Sequence, residues 1–334
     1  MCNYSELISI IIPVYNVDLY LQRCLDSVLK NNYGNLEVIC INDGSTDSSG
    51  LILEEYAKKD NRICVIHTEN KGVSHARNCG LKIALGKWIT FIDADDWIHP
   101  LFFNTVITSL QSNPTDVVVT DHIRTDRLID ESYIDLKHIE MENISGEQAL
   151  TKLRSKNYVW GKLYSRECLE NHFFDENIAY GEDHIFNISV LVGRGLKVLH
   201  IKEKLYYYYI RDGSAASGYT LEKRINWSNY AIEHAKEETV NAIKDLYIES
   251  AFKLVLSCRY ESLFAEKKKR NLHIITCNRL LHRAMILMNS GLSFPIWKRF
   301  MYSFLYRFPT FYRFGRIIMD PTLIRWEHNF QNNN

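Results

Sequence analysis

The stretch over residues 88–97, WITFIDADDW, constrains the chain most tightly. Its mostly apolar start, Trp88 to Ile92, runs directly into Asp93, Asp95 and Asp96. A short apolar run bounded by turn residues is the pattern of a strand buried on both faces. Carboxylates crowded together are costly to bury without a compensating cation. The strand must therefore leave the core at Asp93, and positive charge must meet the carboxylates there. Magnesium or manganese suits such a place, because these ions take one or two protein carboxylates and complete their shell on substrate phosphate. A solvated Asp-rich turn capping the next helix is the plainer alternative.

The first third of the chain repeats this strand-to-loop logic. Apolar, Ile-rich runs predict strands over 7–13, 36–41, 62–67, 88–92 and 116–120, and helical spacing predicts helices over 17–32, 51–59, 72–85 and 100–111. Strands alternating with helices imply a parallel sheet covered on both faces. Ligands of such sheets bind beyond the carboxyl ends of the strands. Residues 13–16, 43–45 and 93–96 all fall at those ends, which predicts one shared site.

Composition narrows the class. At 334 residues and 46% apolar content, the chain is expected to form a large α/β domain with an appendage, or two domains. Eight cysteines are scattered without a Cys-x-x-Cys pair, and several lie inside apolar runs. That distribution predicts buried free thiols in a reducing compartment, not a disulfide frame or a zinc site. The N-terminus passes at once into a strand pattern, and no uninterrupted apolar run approaches the length of a spanning helix. A cytoplasmic protein without a signal peptide is the expectation. The zero net charge conceals an asymmetry: 267–319 holds 11 Lys/Arg and no Asp or Glu, leaving 28 basic and 38 acidic groups in 1–266. A basic end of this kind predicts a polyanionic partner.

Four motifs in order, IIPVYN at 11–16, NDGSTD at 42–47, NKGVSHARN at 70–78 and DADD at 93–96, resemble the family 2 glycosyltransferases of the GT-A fold. Their spacing matches as well, and the resemblance covers about 7–215. It implies a Rossmann-like, mostly parallel central sheet flanked by helices, a nucleotide-sugar donor with UDP favoured, a divalent manganese or magnesium ion, and inversion at the anomeric carbon. By resemblance, Asp43 accepts from the base N–H, while Pro13, Tyr15 and Asn16 line the nucleoside pocket. Asp93, with Ala94, faces the ribose, Asp95 and Asp96 hold the metal, and Arg77 approaches phosphate or the carboxylates.

Farther along, residues 121–145 are polar and irregular and read as a loop over the site, and 160–164 as a short strand. Glu182 and Asp183 open a helix at YGEDHIF, where the helix dipole alone favours negative charge. The resemblance makes Asp183 the general base and Glu182 its companion or an acceptor ligand, with Trp160 and Lys162 as further acceptor contacts. Arg211, after the run of tyrosines at 206–209, is expected either on the donor diphosphate or in a surface ion pair.

The expected layout is a catalytic domain over 1–218, its nucleotide-sugar half about 1–120 and its acceptor half about 121–218, followed by a helical extension over 219–334. Within that extension, about 292–318 interleaves aromatic and basic residues without acid, which suits an anionic membrane surface better than nucleic acid, or else a packed helical cap. These readings converge on an inverting, metal-dependent glycosyltransferase extending a saccharide, lipid-linked at the inner face of the cell membrane, in surface polysaccharide synthesis. A sugar-nucleotide pyrophosphorylase would need a Gly-rich basic loop after the first strand, where the chain has Val14, Tyr15, Asn16 and Val17. A catalytically silent binding protein would not need both the aspartate cluster and the Glu182–Asp183 pair.

Overall fold

The structure is a computed structural model; it describes residues 6–129, 138–153, 158–178, 180–211, 220–237, 241–262, 267–289 and 302. The chain divides into two compact units, Met1–Ser217 and Gly218–Asn334.

The first unit is built on a nine-stranded sheet. Strand β1 (Ile8–Val14) lies between β2 (Leu36–Asp43) and β4 (Trp88–Phe91), with β3 (Ile63–Thr68) outside β2, and all three pairings are parallel. Helices α1 (Asp18–Leu29), α2 (Ser49–Lys59) and α3 (Val73–Ile83) connect these strands. In β1 every residue but Pro13 is buried, as expected of a strand covered on both faces. Its one polar member, Ser9, is satisfied, accepting from Gly86 N at 2.7 Å and donating to Glu37.

The parallel sheet read from the alternation of elements describes this half. Beyond β4 the sheet is mixed. Strand β8 (Lys162–Ser165) runs antiparallel to β4 and to β6 (Val117–Thr125), and β6 is parallel to β9 (Lys197–Tyr209). The thirteen residues of β9 also pair antiparallel with β7 (Met141–Ser145) along their first half and with β5 (Trp97–Ile98) along their second. Helices α4 (Phe102–Ser112), α5 (Gly146–Lys152), α6 (Arg166–Leu169) and α7 (Glu182–Leu191) complete the unit. The polar stretch read as a loop over 121–145 therefore supplies strand at both ends, in β6 and β7, while 130–137 lie outside the described residues. The irregular register of β6 against β9 at Thr120–His122 accounts for the lack of a clean alternation there. Trp160 makes a single bridge to Phe91 and β8 begins two residues later.

In the second unit, α8 (Leu221–Glu237), α9 (Asn241–Ser262) and α10 (Lys267–Asn289) pack on one another. Their interface buries Trp227, Ile232, Ile248, Phe252, Leu256, Leu281 and Met288, and Tyr302 packs 4.7 Å from Phe252. Among the described residues no helix is long and apolar enough to cross a membrane.

One close approach fixes α3 over the sheet. A Cβ at Gly80 would stand 2.5 Å from Ile11 Cγ2, inside contact distance. Substituting Gly80→Val is expected to lift α3 from β1 and cost about 1–3 kcal/mol, the usual size of overpacking. An unchanged denaturation midpoint would show that the helix seats by other means.

Candidate active site

Three loops meet past the carboxyl ends of β1, β2 and β4. Asn16 adopts a left-handed backbone with φ 50°, which asparagine tolerates better than most residues. Its side-chain oxygen accepts from Thr46 N at 2.8 Å, and its own N donates to Ser45 Oγ at 3.1 Å, so the first loop is tied to the second. Asp43, at the end of β2, is almost wholly buried: Oδ1 accepts from Lys71 N at 3.0 Å and Thr68 Oγ1 at 3.2 Å, and Oδ2 from Gly72 N at 2.8 Å. Asp43 thus fastens the loop that leads into α3. One lone pair of Oδ2 is left over for a base N–H. Pro13 is half-buried and Tyr15 exposed at the same rim.

The Asp93–Asp96 turn sorts its carboxylates by environment. Asp96 is fully buried; Oδ2 accepts from Tyr206 Oη at 2.6 Å and Oδ1 from Tyr209 N at 2.8 Å. Burial, reinforced by Asp95 and Asp93, pushes its pKa well above the ordinary range and favours the neutral form. Asp96 therefore does not meet the expectation of a metal ligand: both oxygens are engaged in joining the turn to β9. Asp95 points to the rim. Its Oδ2 accepts from Arg211 Nε at 2.7 Å, and its backbone carbonyl accepts from Arg23 Nη2 at 2.6 Å. Arg23 is held between two rings, 4.2 Å from the Trp97 centroid and 4.4 Å from that of Tyr209. Arg211 thus forms an ion pair with Asp95.

Asp93 reaches a second charge cluster. Arg77, only 3% exposed, donates through Nη2 to Asp93 Oδ1 at 3.0 Å, and through Nη1 to Asp183 Oδ1 at 2.7 Å and Glu182 Oε1 at 3.3 Å. Asp183 Oδ2 also accepts from Val159 N at 3.2 Å. Burial opposes the charge on Arg77, but Asp183, Asp93 and Glu182 outweigh it and hold its pKa above the ordinary value. Burial likewise pushes Asp93 up to about 6, against the pull of Arg77 and helped by Asp95 and Asp183. Asp183 is pushed up to about 6 by burial and by Glu182, with Arg77, the Val159 amide and Lys162 opposing. A carboxylate poised there is suited to taking a proton near neutrality.

Aromatic rings wall the far side. Trp160 is stacked between Tyr158 (centroids 3.3 Å apart) and Tyr206 (4.5 Å), with Tyr208 at 5.3 Å and His122 edge-on at 5.1 Å. Both faces of Trp160 are thus covered by protein. Lys162 is 3% exposed and donates to the carbonyl of Tyr158. Expected as acceptor contacts, Trp160 and Lys162 instead brace the 158–160 segment, whose Val159 amide meets Asp183. Reading the sequence missed Arg23, Tyr206 and Phe174, whose ring lies 5.3 Å from the Arg77 guanidinium. For Tyr206 a signal existed: the two-residue period of a strand puts Tyr206 and Tyr208 on one face, toward the aspartates. Arg23 and Phe174 carry no comparable pattern. The basic, aromatic stretch over about 292–318 lies, but for Tyr302, outside the described residues.

Among the described residues no three carboxylate, histidine or cysteine side chains converge as a metal cage. A magnesium or manganese ion fits nonetheless at Asp95, whose Oδ1 accepts no bond among the described residues, since such an ion needs only one or two carboxylates when substrate phosphate completes the shell.

Residues 9–173 match glycosyl transferase family 2. This stretch of the chain belongs to that family. The protein named as the uncharacterized glycosyltransferase EpsJ of Bacillus subtilis (strain 168) is 37% identical over 216 residues, which take in 60% of each chain. The chain therefore spans about 60% of that relative's length. In fold it resembles S. aureus TarS, solved in complex with UDP-GlcNAc (TM-score 0.70, 21% identity, covering 93% of this chain and 88% of that one). It also resembles the mannosyltransferase PcManGT from Pyrobaculum calidifontis, solved with GDP-Man and Mn2+ (TM-score 0.54, 16% identity, 94% and 87%). Both likenesses establish a GT-A glycosyltransferase architecture for this family 2 chain.

Because Arg77 neutralises several carboxylates at once, removing it leaves them buried and unpaired. Arg77→Ala is expected to destabilise the protein at pH 7 by about 3–5 kcal/mol. The loss should shrink as pH falls toward 5, because Asp93 and Asp183 then take up protons. Denaturant melts at the two pH values test this, and an equal loss at both would show that packing, not charge, is what Arg77 provides.

Proposed function

We propose that this domain transfers a sugar from a nucleotide-sugar, with UDP as the favoured nucleotide, to a hydroxyl of a saccharide acceptor, inverting the anomeric carbon. The observation that carries this reading is the placement of Asp183. It stands at the head of α7 with its pKa raised to about 6, bonded through Arg77 to the Asp93 turn that carries Asp95. A direct displacement needs one base for the acceptor proton and compensation for charge on the leaving diphosphate.

In this reading, Asp183 takes the acceptor hydroxyl proton through Oδ1 or Oδ2 as that oxygen attacks. Arg77 and the Val159 amide keep the carboxylate oriented. Asp43 and the rim of Pro13, Tyr15 and Asn16 hold the nucleoside, and Asp93 with Ala94 faces the ribose. Asp95 would hold magnesium or manganese, which supplies Lewis-acid compensation of the diphosphate when bound. Among the described residues Arg211 is bonded to Asp95 through one contact and lacks the multiple anchors of Arg77, so it is the cation best placed to exchange onto a diphosphate. The UDP-GlcNAc held by TarS and the Mn2+ in PcManGT support the donor class and the metal. A lipid-linked acceptor at the inner membrane face, reached through the basic and aromatic 292–318 stretch, fits the charge asymmetry of the sequence.

Asp183→Asn keeps the shape and removes the proton acceptor, so transfer should fall about 10²-fold or more while donor binding persists. Calorimetric loss of donor binding in that variant would move Asp183 to the donor site. The pH profile supplies a further check. As a base, Asp183 works ionised, so kcat/KM should fall as pH drops through about 6. Glu182→Gln removes a like charge that raises Asp183, and should move this acid limb to lower pH; a limb that stays in place would dissociate it from Asp183. For the metal, Asp95→Ala should abolish donor-dependent Mn2+ binding, read by the electron-spin signal of free Mn2+, together with transfer. Full wild-type activity in excess chelator would remove the metal from the mechanism.

A further inference from the structure

Away from the carboxylates, α3 carries a second chemical constellation. Cys79 is half-buried, one helical turn after His75, and its Sγ lies 3.5 Å from His75 Nε2. The other ring nitrogen, Nδ1, lies 3.0 Å from Glu176 Oε2. Glu176 is itself fixed: its Oε1 accepts from Asn78 Nδ2 at 2.9 Å, and Asn78 clamps the same loop by donating to Phe174 O at 2.9 Å and accepting from Phe174 N at 2.8 Å. The Asn78 bond, then His75, lower the Glu176 pKa, so this carboxylate is held ionised where it faces His75 Nδ1. Lys82, farther along α3, is the other charge acting on Glu176. Thiol, imidazole and carboxylate thus stand in sequence, the arrangement in which a nucleophile meets a base that a third group orients.

We propose that Cys79 is an activated thiol and a modification site, reacting by exchange with a low-molecular-weight disulfide. His75 takes the thiol proton as the sulfur attacks one sulfur of the disulfide. The S–S bond of the small molecule breaks, a mixed disulfide forms on Cys79, and the departing thiolate is protonated from His75 or water. No further oxidant is needed. Nothing in the transfer reaction uses this group. It is linked to that reaction through α3, which also carries Arg77, and through the loop it touches, since Phe174, clamped by Asn78, lies against Arg77.

The chain contains its own control. Cys64, on β3, is exposed, whereas the described cysteines other than Cys64 and the half-buried Cys79 are buried. Exposure alone would make Cys64 the faster thiol, and at pH 6.5 an ordinary thiol is only about 1% ionised. The test incubates the whole protein with oxidised glutathione at pH 6.5 and follows mixed disulfide formation at each cysteine by peptide mass spectrometry. Cys79 is expected to react about tenfold or more faster than Cys64, and His75→Gln to erase that advantage while leaving the Cys64 rate unchanged. Glu176→Gln should reduce it in part. Faster reaction at Cys64 in the native protein overturns the proposal, as does an unaltered Cys79 rate in His75→Gln. Should the variants fold poorly, the native protein decides: a Cys79 rate that climbs from pH 6 to 8 in parallel with that of Cys64, tenfold per unit, is that of an unassisted thiol.

Discussion

The active-site half of this protein depends on one buried guanidinium. Arg77 on α3 reaches Asp93 at the end of β4 and both Glu182 and Asp183 at the start of α7. These groups come from distant parts of the chain, and without a shared cation their mutual repulsion and their burial would drive the loops apart. Arginine suits the position where lysine would not. Its planar fork offers donors in fixed directions, so one charge can face opposing carboxylates at once, whereas an ammonium is a single point. Such a cluster is weak evidence for net stability, since desolvation consumes much of the Coulombic gain. What it provides is position, since Asp183 can lie beside the Asp93 turn only while Arg77 stands between them.

A second buried carboxylate solves a different problem. Asp96 has no arginine; it has Tyr206 and the Tyr209 amide, and its environment favours the protonated acid. Tyr206 Oη in turn accepts from Asp93 N at 3.2 Å. The end of β9 is thereby pinned to the turn after β4, although β6 and β8 intervene in the sheet. Alternation along β9 does the rest. Tyr206 and Tyr208 stack with Trp160, while Tyr207 turns to the opposite face against Trp97 at 5.1 Å. A run of consecutive tyrosines thus serves two layers, one behind the carboxylates of the candidate site and one in the core.

Much of this was legible in the sequence, and the gaps have physical causes. The β1–β4 half was readable because its strands are continuous apolar runs and its helices have apolar stripes, so each element announces itself locally. The convergence of 13–16, 43–45 and 93–96 followed from the rule that parallel strands share one functional end. The second half was harder. The long β9 contacts β5, β6 and β7, and pairing over such separations leaves no trace in a local window. Adjacent aspartates were also indistinguishable in one dimension. Asp95 and Asp96 differ only in which way the turn sends them, one to the rim beside Arg211 and one under Tyr206. The roles of Trp160 and Lys162 were hidden likewise, because aromatic and basic side chains near a site serve equally as ligand contacts and as braces.

The arginines around the site differ in how firmly each is held, and that difference has a consequence for charge in the pocket. Arg77 has several carboxylate partners and the Phe174 ring, and moving it would strand every one of them. Arg23 is closed between Trp97 and Tyr209 and bonded to a backbone carbonyl, so it stiffens the turn and offers little to a ligand. Among the described residues Arg211 pairs with Asp95 alone, beside the Tyr20 ring at 5.3 Å. Exchanging that partner for another anion of equal or greater charge leaves Arg211 no worse paired, provided a cation takes its place on Asp95. In the proposed function, Asp95 would hold the divalent ion and Arg211 would then meet the diphosphate, one ion pair giving way to two. The fixed arginines thus set the geometry, and in the proposed function the loosely held one is the cation left to meet a charged ligand.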